Sequence, residues 1–357
     1  MFRIIYSLNG DKMDISKIDK NFKIETKINK GDIEFYSALN EPFSVHGLIY
    51  TGGKFRRMDE DVAKRVSPGV YSLHTNTAGG RVRFNTDSSY VAIYAKMENV
   101  GKMPHFALSG SSGFDLYVLK KYHATFMPPY EMTNGYEAVC ELGERKMREI
   151  TINFPLYSDV CELYIGVSDS ARILPAREYK INKPIVFYGS SITQGGCASR
   201  PGASYEAIAS RTLDAEYLNL GFSGNARAED EMINYIKMLD MSAFVYDYDH
   251  NAPTREHLEA THEKMFLKIR EAHPKIPILI LPRPKYYLSE DEKKRLEIIK
   301  RTYHNALLRG DKNVYFIDGK GLLGSVRDEG TVDGCHPTDL GFYQMAQAVN
   351  GLLKKIL

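Results

Sequence analysis

The stretch YGSSITQG, Tyr188–Gly195, is the most informative part of this chain. It follows the apolar run Pro184–Phe187 and precedes a helix-like segment that begins near Ser204. A buried strand therefore breaks into a small polar turn that is flanked by glycines and holds two serines. Such a turn lifts a hydroxyl out at the end of a sheet, so it predicts a nucleophilic serine.

Around this stretch, from about Lys180 onward, apolar runs alternate with longer amphipathic segments. The predicted strands are Ile185–Tyr188, Tyr217–Leu220, Phe244–Tyr248, Ile276–Leu281 and Val314–Ile317. The predicted helices are Ser204–Leu213, Ala228–Leu239, Thr254–Ala272, Glu290–Leu308 and Asp339–Leu353. This alternation predicts an α/β domain over residues 181–357, with a five-stranded parallel sheet in a flavodoxin-like three-layer α/β/α order.

The first half of the chain has a different pattern of apolar and polar residues. Short alternating runs, among them Gly69–His74, Tyr90–Tyr94 and Ile150–Phe154, are separated by turn-forming residues. This pattern predicts an antiparallel β-sandwich domain, jelly-roll-like, over residues 1–180, in which only Asp59–Arg65 looks helical. Its histidines are dispersed among the predicted strands and are interpreted as packing or surface residues; they are His46, His74, His105 and His123.

Composition excludes several functional classes. The chain has 357 residues, 43% of them hydrophobic and 26% charged, with a formal net charge of +2, so no broad positive field attracts nucleic acid or an anionic membrane. No apolar run approaches the roughly 20 residues that span a bilayer. The four cysteines form no close metal-type pair and are predicted to be free thiols, with a Cys197–Cys335 disulfide as the alternative. No cofactor and no metal are expected.

Polar residues follow the predicted strands where a parallel sheet places its site. Ser190 and Ser191 follow the first strand, Gly221 the second and Asn251 the third, while Asp333 and His336 precede the last helix. A serine needs a base such as histidine, and the histidine needs a partner on its other nitrogen. The pattern predicts Ser191 as nucleophile, His336 as base and Asp333 as its orienting carboxylate. Backbone N–H groups of Ser191 and Gly221 and the Asn251 amide are the predicted oxyanion donors.

Two competing interpretations concern the loop after the third strand. His250 is an alternative base, although no aspartate stands at a spacing that would orient it. Asp247 and Asp249 with His250 could hold a metal, but a hard cation needs more converging carboxylates than this loop offers. His336 is therefore preferred as the base.

Taken together, these residues resemble the SGNH (GDSL-type) hydrolases. Ser191, Gly221, Asn251 and His336 stand in the order of that family's four blocks, and Asp333 matches its D-x-x-H block. The segment Gly113–Tyr117, GFDLY, resembles the G-x-D-L-Y signature of a β domain that precedes the hydrolase domain in one bacterial branch. Members of this branch resemble carbohydrate esterases that remove acetyl groups. Two acids of the family pattern are replaced here, by Ser190 in the first block and by Ala252 after the oxyanion asparagine.

The resemblance implies a serine esterase that hydrolyses small acyl esters, chiefly acetyl esters of an oligosaccharide or another small molecule. The alternatives are a lipase or lysophospholipase, and an inactive carbohydrate-binding relic of the hydrolase fold. Ser190, Arg200, Arg283 and Tyr286 are candidate substrate contacts. Nothing in the sequence indicates an oligomer. Met1–Ser7 does not resemble a signal peptide, which predicts a cytoplasmic protein, or a secreted one if a leader has been removed.

Overall fold

A computed structural model describes residues 24–357, and it contains antiparallel sheets up to Leu174 and a parallel sheet from Ile181 onward. The strands are β1 Ile33–Ser37, β2 Ser44–His46, β3 Ile49–Thr51, β4 Lys54–Arg56, β5 Arg81–Thr86, β6 Tyr90–Glu98, β7 Phe114–Val118, β8 Lys121–Phe126, β9 Gly135–Glu141, β10 Arg148–Asn153, β11 Asp159–Ser168, β12 Ile173–Leu174, β13 Ile181–Gly189, β14 Ala215–Gly221, β15 Ala243–Asp247, β16 Ile278–Ile280 and β17 Val314–Phe316. The helices are α1 Glu60–Val66, α2 Pro68–Leu73, α3 Leu108–Ser111, α4 Ser191–Gln194, α5 Tyr205–Leu213, α6 Asp230–Ile236, α7 Arg255–Ala272, α8 Glu290–Leu308, α9 Gly319–Leu323 and α10 Asp339–Ile356.

The first half forms two large antiparallel sheets and a small two-stranded one, β3-β4. One has the order β1-β11-β6-β9, and the other has the order β12-β5-β10-β7-β8 with β2 paired to β5. Alternate side chains of both sheets, such as Phe84, Ile93 and Ile165, are fully buried in one apolar cluster between them. The predicted antiparallel sandwich is therefore confirmed.

One predicted strand of this half is a helix. Residues 69–74 alternate as a strand would, but the structure places α2 at Pro68–Leu73. The Ser67 hydroxyl accepts a hydrogen bond from the Val70 N–H, and Pro68 occupies the first helical turn, where its missing N–H costs nothing. This capping signal outweighs a short alternating pattern.

The second half confirms the predicted parallel sheet. Its order is β14-β13-β15-β16-β17, the flavodoxin-like order 2-1-3-4-5. Successive residues of β13 face opposite layers: Ile185 and Phe187 belong to one apolar cluster, and Val186 and Tyr188 to the other. Helices cover both faces, and the carboxyl ends of the strands bring the loops after them to one edge.

Within residues 24–357, no helix is long and apolar enough to cross a membrane. Met1–Ser7, on which the prediction about a signal peptide rests, lies outside the described residues. The division at residue 180 stays a prediction, although β12 ends at Leu174 and β13 begins at Ile181, on either side of it.

Candidate active site

A sharp strand-to-helix turn presents Ser191. β13 ends at Gly189, where a Cβ would lie 1.9 Å from the Asp247 Oδ1, so only glycine fits there. The Ser190 hydroxyl then accepts a hydrogen bond from the Ile192 N–H at 3.2 Å and caps α4. Gly195, with φ of 94°, ends this single-turn helix. The turn leaves Ser191 at the first helical position, 8% exposed.

The structure brings Ser191, His336 and Asp333 into one chain of hydrogen bonds. The Ser191 Oγ lies 2.9 Å from the His336 Nε2, and the His336 Nδ1 lies 2.8 Å from the Asp333 Oδ2. Partial burial raises the pKa of Asp333, but hydrogen bonds from the side chain and backbone of His336 outweigh it and hold the pKa at about 2. Asp333 is therefore ionised at neutral pH and fixes the histidine with Nδ1–H as donor and Nε2 as acceptor.

A tight loop holds the Asp333–His336 pair. The backbone N–H of Val332 donates to the His336 carbonyl at 2.8 Å, and Thr331 forms a bridge with Pro337. Between them Gly334 adopts a left-handed φ of 81° and donates its N–H to the Thr331 Oγ1. This closed loop explains how residues three apart face each other directly before α10.

The Gly221 N–H does not lie free for an oxyanion. It donates to the Asn219 Oδ1 at 2.9 Å, while the next amide, that of Phe222, bonds the Gly189 carbonyl at 2.9 Å. Because neighbouring amides of a strand point to opposite sides, the Gly221 amide faces away from β13 and its nucleophile turn. This geometry contradicts the predicted role of Gly221 as a donor.

Three other donors lie open at this edge of the sheet. The N–H groups of Ser191 and Gly224 have no hydrogen-bond partner within residues 24–357. Gly224 has a left-handed φ of 71°. The Asn251 Oδ1 accepts from the Ala226 N–H at 3.3 Å, which orients a side-chain Nδ2 that bonds nothing else in the described part of the chain. Gly224 thus offers the amide that was expected at Gly221.

Two of the predicted substrate contacts have structural partners instead. The Ser190 side chain is fully buried as the cap of α4, so it does not face a substrate. The Arg283 guanidinium, 12% exposed, bonds the Asp249 carboxylate at 2.7 and 3.1 Å and the Glu292 carboxylate at 2.9 Å. Part of its N–H donors are thereby used, because Asp249 is a buried charge that must be paired. The prediction for Ser190 is therefore wrong in this structure, whereas the contact of Arg283 with a substrate stays a prediction.

The other two predicted contacts lie closer to the surface. Arg200 approaches Asp115 at 3.8 Å and Asp339 at 3.7 Å, and its guanidinium lies 4.2 Å from the centre of the Tyr122 ring. It therefore belongs to the junction of the two halves. Tyr286 is half-buried against the exposed Tyr287, with ring centres 5.0 Å apart.

The competing interpretations of the third loop lack support. The only hydrogen-bond-type contact of the His250 ring is with the Cys335 Sγ, at 3.7 Å from Nδ1 and 3.8 Å from Nε2, among residues 24–357. Burial lowers the pKa of His250 to about 4. Asp247 bonds the Ser190 N–H and the Thr193 hydroxyl, and Asp249 bonds two arginines, so their carboxylates do not converge on one metal.

The G-x-D-L-Y segment explains how the first half supports the site. The buried Asp115 carboxylate accepts from the Gly202 N–H at 2.8 Å, and the Tyr117 hydroxyl donates to the Gly202 carbonyl at 3.2 Å. A Cβ on Gly202 would lie 2.5 Å from the Tyr117 ring. The segment therefore holds the turn Pro201–Ala203, which follows α4, in place through hydrogen bonds and close packing.

Two residues of the first half reach the site and were not identified from the sequence. The Tyr157 hydroxyl donates to the Ser191 carbonyl at 3.2 Å, and the His105 ring centre lies 5.6 Å from that of His336. Neither residue stands in a motif. His105 is interpreted from the sequence as a packing or surface residue; it is exposed, and its ring also lies beside that of His336.

A polar groove opens beside Asp333, with a volume of about 470 Å³. Its lining residues come from the loop before α10 and the loop before α8: Tyr287, Arg327, Asp328, Glu329, Thr331, Val332, Asp333 and Gly334. Most of these side chains are polar or charged. The groove therefore suits a hydrophilic molecule better than an acyl chain of many carbons.

Both halves of the chain match known protein families. Residues 182–354 match the GDSL-like lipase/acylhydrolase family, and residues 33–173 match the N-terminus of SGNH-hydrolase-type esterases. A protein of Bacteroides ovatus described as a GDSL-like lipase is 30% identical, with a TM-score of 0.81 over 91% of this chain and 98% of that one. No curated protein sequence matches the chain.

Two less similar solved structures share the fold. The salicylyl-acyltransferase SsfX3 of a tetracycline biosynthetic pathway is 18% identical with a TM-score of 0.75, and a family two carbohydrate esterase of Cellvibrio japonicus is 12% identical with a TM-score of 0.61. Each alignment covers 91% of this chain and 98% of the other. At these identities the two structures establish the architecture of both halves and no more.

Proposed function

Because the chain belongs to the GDSL-like lipase/acylhydrolase family, whose members are carboxylic ester hydrolases, we propose that it cleaves acetyl esters of carbohydrates through an acyl-enzyme on Ser191. The observation that carries the proposal is the hydrogen-bonded chain from the Ser191 Oγ through His336 to Asp333, at 2.9 and 2.8 Å. This arrangement is what a serine needs to attack an ester at neutral pH.

In the first half-reaction the Ser191 Oγ attacks the ester carbonyl while the His336 Nε2 takes the hydroxyl proton. The resulting oxyanion is stabilised by the N–H groups of Ser191 and Gly224 and by the Asn251 Nδ2. His336 then returns the proton to the leaving sugar alcohol as the C–O bond breaks. Asp333 remains ionised throughout and stabilises the imidazolium.

In the second half-reaction water replaces the alcohol. The His336 Nε2 takes a proton from water, the resulting hydroxide adds to the acyl carbonyl, and the tetrahedral intermediate collapses with the Ser191 Oγ as leaving group. The Ser191 Oγ recovers its proton from His336. The products are one carboxylic acid and the free enzyme.

A small acyl group on a polar alcohol fits the surroundings of Ser191 best. Ser191 is nearly buried, and the Tyr157 hydroxyl lies against its carbonyl, which limits the room beside the nucleophile. The groove beside Asp333 is polar, and Tyr287, 60% exposed at its edge, offers an aromatic face to a sugar ring. These features favour an acetylated carbohydrate over the long apolar chain that a lipase binds.

Hydrolysis of p-nitrophenyl esters from two to twelve carbons tests the acyl preference, with Ser191→Ala as the blank. We expect the acetate to be cleaved fastest and Ser191→Ala to lose activity by orders of magnitude. Release of acetate from acetylated xylo-, manno- and sialo-oligosaccharides then identifies the alcohol. A preference for long chains would support the lipase alternative, and failure of a fluorophosphonate to label Ser191 would support the inactive relic.

A further inference from the structure

Three potential metal ligands meet at the edge of the active site. They are His105, from the loop between β6 and α3, Cys197, which follows α4, and His336. One ligand atom from each lies within 4.8 Å of the other two. The mechanism above uses only His336, so the other two side chains have no part in the proposed hydrolysis.

His105 and Cys197 have the properties of ligands without a present partner. His105 is exposed, and its ring nitrogens bond nothing within residues 24–357, which leaves a lone pair for a metal. Cys197 is a free thiol, 8% exposed, with a left-handed φ of 74° that is uncommon for a residue with a Cβ. This backbone strain sits directly beside the site, where strained residues tend to cluster.

His336 is already oriented as a metal-bound histidine would be. Its Nδ1 is held by Asp333 at 2.8 Å, which leaves Nε2 as the nitrogen with a lone pair. A carboxylate behind a histidine is the usual second partner of a zinc ligand, because it fixes the ring and raises its basicity. The hydrogen bond from His336 to Asp333 that serves hydrolysis therefore also orients the His336 Nε2 as a metal ligand.

We propose that His105, Cys197 and His336 bind Zn²⁺ and that the bound ion withdraws the base from Ser191. Imidazole nitrogen and thiolate sulfur are both zinc ligands, and three protein ligands with water in the fourth position form an open tetrahedral zinc site. Zn–N bonds of about 2.0 Å and Zn–S bonds of about 2.3 Å put neighbouring ligand atoms roughly 3.3–3.6 Å apart. The cluster therefore has to contract by no more than about 1.5 Å, and the exposed His105 can supply that movement.

Occupancy of the site and ester hydrolysis exclude each other, because both need the His336 Nε2. This consequence, unlike the metal site itself, rests on the proposed function of His336 as the base. The first half of the chain would thereby control the activity of the second, because His105 supplies a ligand to the zinc site. When zinc occupies that site, His336 no longer activates Ser191. Zinc would act as a reversible inhibitor, relieved by a chelator.

Binding is tested with the full-length protein freed of metal, using Co²⁺ as a coloured substitute for Zn²⁺. We expect a thiolate-to-cobalt absorption band in the near ultraviolet that Zn²⁺ abolishes. The band should vanish in Cys197→Ser and persist in Cys161→Ser, which removes a half-buried thiol of β11 that is not one of the three clustered residues. His105→Gln should weaken Zn²⁺ binding at least tenfold. Absence of the band, or its loss in Cys335→Ser but not in Cys197→Ser, would overturn the proposal.

Inhibition is tested by p-nitrophenyl acetate hydrolysis with increasing Zn²⁺. We expect Cys197→Ser and His105→Gln to retain the activity of the metal-free protein while the inhibitory Zn²⁺ concentration rises at least tenfold. If Zn²⁺ binds through Cys197 but hydrolysis continues unchanged, the metal site stands and the assignment of His336 as base falls. If inhibition is equal in all variants, zinc acts elsewhere and the proposed site is wrong.

Discussion

Asp247 lies fully buried at the end of β15, directly behind the nucleophile turn. Its Oδ1 accepts from the Ser190 N–H at 3.2 Å and from the Thr193 hydroxyl at 2.7 Å, while Oδ2 bonds nothing within the described residues. Burial raises the pKa of Asp247 to about 7. The first turn of α4 is thus anchored by a carboxyl group that is largely protonated in the weakly acidic range.

This pKa makes the protein less stable as the pH rises. Between the ordinary aspartate pKa near 4 and the folded value of about 7, the native state holds a proton that the unfolded chain has lost, so stability falls across this interval. Asp247→Asn keeps an Oδ1 acceptor and cannot ionise. We expect its stability to equal that of the wild type near pH 4 and to exceed it by a few kcal/mol at pH 8.

Urea unfolding of both proteins at pH 4, 5, 6, 7 and 8 measures this difference, and the comparison cancels every group that the two proteins share. Parallel stability curves for the two proteins would show that Asp247 keeps an ordinary pKa.

The residues of the hydrogen-bonded chain could be identified from the sequence, but the full donor set could not. Ser191 follows a strand, and Asp333 and His336 stand three apart before a helix, so local pattern and sheet topology suffice to bring them together. Gly221 ends β14, and Gly224 lies three residues later in the loop that follows. Which of their backbone N–H groups lacks a hydrogen-bond partner depends on the direction in which each group points. The sequence does not reveal that direction.

At the scale of elements, the loop before α10 controls the geometry of the site. Gly334 lies between Asp333 and His336 with φ of 81°, and a Cβ there would meet no atom within 4 Å. Any effect of a side chain at this position therefore comes from backbone conformation and not from a clash. The backbone conformation of Gly334 therefore sets the distance between the Asp333 carboxylate and the His336 imidazole.

Gly334→Ala should cost about 1–2 kcal/mol of stability, the ordinary penalty for a left-handed residue with a Cβ. It should also lower kcat by ten- to hundredfold, because relaxation of the loop moves Asp333 relative to His336. Gly310→Ala is a matched control: Gly310 has φ of 83° and equally open surroundings but follows α8. We expect a similar stability loss there with kcat unchanged, as measured by thermal unfolding and acetate release. Equal kcat for both variants would contradict this role of the loop.

The long helices and the short helix predicted at Asp59–Arg65 could be predicted closely, whereas the segment 69–74 could not. The predicted spans Thr254–Ala272 and Glu290–Leu308 differ from α7 and α8 by at most one residue, since each has a capping residue and a sustained apolar period. Residues 69–74 were too few for a period to decide between strand and helix. There the cap at Ser67 decides, and its effect depends on geometry that alternation alone does not reveal.

At the scale of the whole molecule, a buried ion pair joins the two halves. Arg81 of β5 is 1% exposed and pairs with Glu216 of β14, which also bonds His46. Burial raises the pKa of Glu216, but Arg81 and His46 outweigh it and bring the pKa to about 2. The pair therefore stays ionised in neutral solution, and its attraction is present only when both halves are folded and in contact.

Glu216→Gln should destabilise the protein by about 3–5 kcal/mol at pH 7, because it leaves the Arg81 charge buried without a partner. Glu162→Gln is the control: it removes the exposed Lys96–Glu162 pair, 2.9 Å long, and should change stability by less than about 1 kcal/mol. Calorimetry measures both. A separate, unshifted transition for the second half in Glu216→Gln would show that the halves unfold independently.

The ion pair and the histidine contact across the junction were beyond sequence reasoning, because the residues that they join lie far apart in the chain and share no motif. Arg81 and Glu216 are separated by 135 positions, and His105 and His336 by still more. Each half is recognisable by its own pattern of apolar and polar residues. The docking of one half on the other depends on shape and on charges that pair only after both have folded.

The hydrogen bonds of the Gln194 side chain bear on whether the two halves of the chain are inherited together. Its Nε2 donates to the Asn76 Oδ1 at 3.1 Å and to the Leu156 carbonyl at 3.2 Å, while its Oε1 accepts from the Ser223 N–H at 3.0 Å. One amide thus ties the β-sandwich to the nucleophile helix and to the loop that carries Gly224. A chimera that takes its halves from two relatives inherits this three-way bond only if both parents kept it. The halves are therefore expected to pass between lineages as one gene segment, not as separately shuffled modules.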